Sequence, residues 1–112
     1  MKAQVVLGKG EGSKYVDVYA QKIYKEVGIK PFSGTLNLQV ESIPPLDTIE
    51  IPGFGQFGMI ELAPCIVNNE RAFAVFPELG GYREQNIVEV IAEENLMEKL
   101  GLKEGDFVVL QF

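Results

Sequence analysis

Three short stretches carry side chains whose types and spacing could do chemistry. The first is Gly8-Lys9-Gly10-Glu11-Gly12-Ser13-Lys14-Tyr15. Its alternating glycines would let backbone N–H groups approach an anion closely, and its two lysines favour a phosphate. The second is Gly34-Thr35-Leu36-Asn37-Leu38, where Thr35 and Asn37 offer neutral oxygens that project in parallel from one strand face. A magnesium ion held mainly by phosphates and water needs only such an incomplete set of protein oxygens. The third is Glu89, which shares a strand face with Ile87 and Ile91 and is either a rim residue or a partly desolvated carboxylate. Each stretch also has a bland reading: a tight turn for the glycines, a solvated edge face for Thr35 and Asn37, a rim position for Glu89.

The familiar phosphate motifs do not fit the glycine stretch. No Gly-Lys-Ser/Thr follows at Walker spacing, Ser13 stands at the last glycine position of a dinucleotide fingerprint, and the residues after it read as a strand. Histidine is absent, which removes Ser-His-Asp and Cys-His nucleophiles and the usual zinc sites. The single cysteine, Cys65, has apolar neighbours and reads as a core thiol, so redox chemistry is not indicated. Any reaction must therefore rest on carboxylates, hydroxyls, lysines and metal.

Ten basic and sixteen acidic side chains give a net charge of −6, which argues against an extended nucleic-acid surface. The basic residues are concentrated: residues 1–30 hold six lysines against Glu11, Asp17 and Glu26, around the glycine stretch. With 112 residues and 46% hydrophobic composition, the chain is expected to form one domain over residues 1–112. No apolar run approaches a secretory core or a membrane span, so a cytoplasmic location without membrane attachment is expected.

These candidate residues need elements to position them. "AQVVL" reads as a strand entering the glycine loop, and the alternation of "YVDVY" as a second strand leaving it. A short helix is predicted over about 20–27, closed by Gly28. "GTLNLQV" alternates again, with Leu36, Leu38 and Val40 toward the core and Thr35, Asn37 and Gln39 on the polar face. Residues 41–56 hold three prolines around a brief "TIEI" and read as an irregular excursion. "FGMIELAPCIV" and "RAFAVF" form a hairpin about Asn68-Asn69, "NIVEVIA" is a further strand, "EENLMEKLG" a short helix, and "FVVLQF" the last strand. The expectation is a mainly β protein: a six-stranded closed β-barrel with two short helices.

In this order the features resemble the archaeal CTP-dependent riboflavin kinases, a family with a cradle-loop barrel. The resemblance runs from "GKGEGSKY" through "PFSGTLNL" to "NIVEVIAEENLMEKLGLKEGDFVVL". It implies transfer of the terminal phosphate of CTP to the riboflavin 5′-hydroxyl, giving FMN and CDP. It implies that Gly8, Lys9, Gly10, Glu11, Gly12 and Ser13 embrace the nucleotide, with Lys14 able to replace a basic residue after the loop. It further implies that Thr35 and Asn37 bind Mg2+, that Glu89 contacts the flavin side and orients or deprotonates the hydroxyl, and that Glu94, Asn95, Leu96 and Met97 close over the nucleotide. Two positions depart from the pattern. Gly81 stands where the family usually has a flavin-contacting threonine, and Glu94-Asn95-Leu96-Met97 lacks the Lys and Arg common there. A weakened flavin- or nucleotide-binding module is therefore a second expectation. A DNA-binding barrel is a third, because "GLKEGDFVVL" resembles the closing hairpin of some transcription-factor barrels; the acidic charge counts against it.

Overall fold

The computed structural model describes residues 1–8, 12–78 and 83–112, and of residues 12–14 the backbone alone. Strand β1 (Lys2–Val6) is followed by helix α1 (Gly12–Val27), β2 (Leu36–Gln39), β3 (Ile49–Ile51), β4 (Ile60–Val67) and β5 (Glu70–Pro77). A 3-10 turn (Arg83–Gln85), β6 (Ile87–Ile91), the single-turn α2 (Leu96–Lys99) and β7 (Phe107–Gln111) complete it.

The seven strands form one antiparallel sheet in the order β3-β4-β5-β6-β2-β1-β7, and β7 pairs back onto β4, so the sheet is ring-like. Eight-residue β4 makes this possible by dividing one edge between two partners. Its first half pairs with β3 through Ile49↔Leu62 and Ile51↔Ile60, and its end pairs with β7 through Ile66↔Gln111 and Val67↔Leu110. Asn68 extends that seam: its backbone N–H donates to the Val109 carbonyl (3.0 Å) and its Oδ1 accepts from the Val109 N–H (2.8 Å). Asn68 and Asn69 take φ of 46° and 72°, the left-handed pair that a two-residue hairpin requires.

Side-chain alternation supplies two apolar layers from the same strands. One cluster draws on all six strands of the ring and includes Val5, Leu38, Val67, Ala74, Val88 and Leu110. The other lies on the opposite face, where Val16, Tyr19 and Ile23 of α1 cover Ile51, Ile60, Leu62, Val75 and Ile91. Cys65 belongs to the first layer, and burial pushes its thiol pKa up to about 12, so it is an inert core residue.

Three expectations need correction. The residues after the glycine stretch are helix, not strand, so that stretch joins β1 to α1. Five residues of "YVDVY" satisfy a period of two, but Val16, Tyr19, Ile23 and Val27 fall at the spacing of one helical face. The helix therefore begins at Gly12 and is 16 residues long, not a short element over 20–27. Its predicted end holds: Gly28 has φ 77° and its N–H bonds to the Tyr24 carbonyl at 2.9 Å. Finally, the described residues form seven strands, because "TIEI" pairs as β3 outside the ring.

Candidate active site

β2 is not an edge strand; it lies between β1 and β6. Asn37 is the Cα partner of Val6 on one side and of Glu89 on the other, and Glu89 is in turn opposite Val75 of β5. Register thus aligns Asn37 and Glu89 in one row across the sheet, on the face that α1 partly covers. Asn37 is accordingly not solvated: it is 7% exposed, the one polar side chain buried among the described residues. The Thr35 hydroxyl lies 3.3 Å from its Oδ1, so two neutral oxygens stand side by side.

Gly8 explains how Asn37 comes to be covered. The chain leaves β1 directly over it, and a Cβ on Gly8 would overlap the Asn37 amide nitrogen. Glycine is required here by close approach, since Gly8 is absent from the positive-φ residues. Gly8→Ala is expected to displace the amide and lower activity, while costing about 1–3 kcal/mol in stability through overpacking. In an Asn37→Ala background it should have little further effect; full additivity in a double-mutant cycle would separate the two residues.

Glu89 is half-buried, and desolvation raises its pKa above the usual carboxylate value. Among the described residues no ion pair or hydrogen bond reaches its carboxylate. Tyr15, in the first turns of α1, packs onto the outer apolar layer, which includes Val75 and Ile91. Its phenol is pushed to a higher pKa by burial first, and then by Tyr19 and the negative field of Glu89.

On the other side of Thr35 a cavity of about 240 Å³ opens, lined by Phe32, Thr35 and all of Glu94, Asn95, Leu96 and Met97. The four-residue stretch is held rigidly. Asn95 caps α2 by accepting the Glu98 N–H on its Oδ1 (3.3 Å), Leu96 is buried, and the Leu102 N–H returns to the Met97 carbonyl at 2.7 Å. Glu94 is paired with Lys99 at 3.2 Å.

The fold therefore brings together Gly8, Thr35, Asn37 and Glu89, and joins Thr35 to Glu94–Met97 through the cavity. Lys9, Gly10, Glu11 and Gly81 lie outside the described residues. Gly12, Ser13 and Lys14 open α1, where the first backbone N–H groups have no partner within the helix. The sequence gives no role to Phe32, and Tyr15 enters there only as the end of the glycine stretch and the start of "YVDVY". Phe32 follows a proline in an irregular segment, and Tyr15 reads as site-facing only once its helical phase is recognised.

A family model named CTP-dep_RFKase and described as a domain of unknown function, DUF120, matches residues 5–112. The chain is 36% identical to a riboflavin kinase of Methanopyrus kandleri, over 96% of this chain and 79% of the relative. It is 34% identical to a riboflavin kinase of Thermococcus kodakarensis and 35% identical to one of Thermoplasma volcanium, covering 96% of this chain in both. Of those two relatives it spans 56% and 54%, little more than half their length. With residues 5–112 matched by the family model and 96% of the chain aligned to each of these kinases, the chain belongs to the CTP-dependent riboflavin kinase family.

Proposed function

We propose that this chain phosphorylates the 5′-hydroxyl of riboflavin with the terminal phosphate of CTP, releasing FMN and CDP. One observation carries the reading. The Thr35 and Asn37 oxygens, 3.3 Å apart, stand between the cavity walled by Glu94–Met97 and the half-buried Glu89 carboxylate. A donor nucleotide on one side and an acceptor alcohol on the other would meet at that oxygen pair. The protein is taken as a single six-stranded, closed cradle-loop barrel with β3 appended, working in the cytoplasm without nucleic-acid partners. No described helix is long and apolar enough to cross a membrane.

The donor set suits a divalent ion carried by phosphates. No cluster of three or more Cys, Asp or Glu is present among the described residues, whereas Thr35 and Asn37 supply adjacent neutral oxygens. We assign them to Mg2+, which when bound would neutralise charge on the transferring phosphate. The protein's own part is positioning and electrostatics. Backbone N–H groups at the start of α1, with Lys9 and Lys14, would hold phosphate oxygens. Glu89 would orient the riboflavin 5′-hydroxyl and accept its proton as the oxygen–phosphorus bond forms and the bond to the CDP oxygen breaks. None of the described residues lining the cavity beside Thr35 is cationic, and positive charge would come from the lysines near the glycine stretch. That same absence favours the second reading, a binding module with weak turnover.

Incubation with riboflavin, Mg2+ and each nucleoside triphosphate, followed by chromatography, tests the assignment. FMN should form from CTP at least about tenfold faster than from ATP, since a mismatched base leaves buried polar groups unpaired at about 1–3 kcal/mol each. Equal yields from ATP and CTP would contradict base selection. Bound FMN without turnover would favour the binding module.

A further inference from the structure

Tyr15 and Tyr19 stand one turn apart on α1 with ring centroids 5.1 Å from each other, yet their hydroxyls fare differently. Tyr19 donates to the Gly58 carbonyl at 2.6 Å. The Tyr15 hydroxyl is covered from solvent and has no hydrogen-bond partner among the described residues. An unpaired buried hydroxyl destabilises a free protein, and a bound ligand that accepts its hydrogen bond would offset that cost. Its surroundings indicate what that partner is. Tyr15 packs against the apolar layer that includes Val75 and Ile91, and half-buried Glu89 lies in that part of the sheet, opposite Val75 and two residues before Ile91 on β6. Among the described residues, the Tyr15 hydroxyl is a donor without an acceptor and the Glu89 carboxylate an acceptor without a donor. A single group satisfies both at once if it accepts from a phenol and donates to a carboxylate, and an alcohol does so.

We propose that the Tyr15 hydroxyl is a ligand for the acceptor substrate, donating a hydrogen bond to a hydroxyl of its polyol chain while Glu89 accepts one from the same chain. This rests on the kinase reading, with riboflavin as the acceptor, and adds a substrate-binding residue to it. Tyr15 then distinguishes flavins by their chain, not by their ring. It also links acceptor binding to α1, whose first turn follows the glycine stretch assigned to the nucleotide.

The test is Tyr15→Phe, which removes only the oxygen, with binding followed by quenching of flavin fluorescence. Riboflavin should bind about tenfold more weakly to the variant. Lumiflavin, which has a methyl group in place of the polyol chain, should bind both proteins alike, and CTP affinity should be unchanged. The free variant should melt no lower than the unmodified protein, because the lost hydroxyl had no partner. Equal riboflavin affinity in the two proteins would overturn the proposal while leaving the kinase reading intact. So would equal weakening of riboflavin and lumiflavin, or a lower melting temperature for the variant, either of which makes the hydroxyl a structural group. If the unmodified protein neither binds nor phosphorylates riboflavin, the kinase reading falls and this proposal with it.

Discussion

Asn37→Ala is expected to lower kcat/KM for FMN formation by about 100-fold or more and to raise the magnesium concentration needed for half-maximal rate. The magnitude follows from removing one preorganised polar group aimed at charge that develops on a transferring phosphate. The side chain is 7% exposed and lies on the face opposite Leu36 and Leu38, so the ring's apolar interior is untouched. Its loss leaves the Thr35 hydroxyl without the neighbour that stands 3.3 Å away and opens space beneath Gly8. A stability loss of about 1–2 kcal/mol is the expected scale for such a partly satisfied polar site. Magnesium titration of the initial rate, together with a thermal melt, separates the two effects. An unchanged titration with a lowered melting temperature would make Asn37 a structural amide and remove it from the metal site.

Glu89→Gln should have the second large effect and the more diagnostic one, because activity and stability are expected to move in opposite directions. Loss of a proton acceptor should slow transfer by about 100-fold or more. Burial raises the folded-state pKa of Glu89 above its ordinary value of 4.5. Between that ordinary value and the raised one, the folded state binds the proton more tightly than the unfolded chain, so stability falls as pH rises through this window. Above the raised value the cost of the buried charge is complete; below about 4.5 it is absent. The glutamine variant should therefore melt higher than the unmodified protein at about pH 8, with the difference closing as pH approaches about 4.5. The unmodified enzyme should lose kcat as pH falls through the raised value. A variant that melts no higher at the alkaline end would show that Glu89 is compensated on folding, and its role as proton acceptor would lose its physical basis.

Much of this site is local in the sequence, and for that reason it was readable there. The spacing of Thr35 and Asn37 places both on one strand face, and Asn68-Asn69 marks a hairpin by its left-handed tolerance. The order of the glycine stretch, "GTLNL" and "ENLMEKLG" by itself resembles the family. The helical run from Gly12 was readable too, over a longer window than the five residues in which two periods coincide. Its misassignment matters, since a helix presents unpaired N–H groups after the glycines and a strand would not.

What the chain alone could not supply was the relation between segments far apart in sequence. The register Asn37↔Glu89 joins residues 52 positions apart, and it depends on β2 being flanked by β1 and β6. Burial of Asn37 depends on the close passage of Gly8, and the cavity between Thr35 and Met97 on where β6 ends beside the start of β2. Residue types and their periods marked six of the seven described strands and the candidate oxygens, which follow from local backbone geometry, while the family was legible as a resemblance in the order of the motifs. Which candidates meet, which are covered and which carboxylate is desolvated was decided by strand pairing and by α1 packing across the sheet. Charge and burial are properties of an environment, and only the folded chain makes that environment.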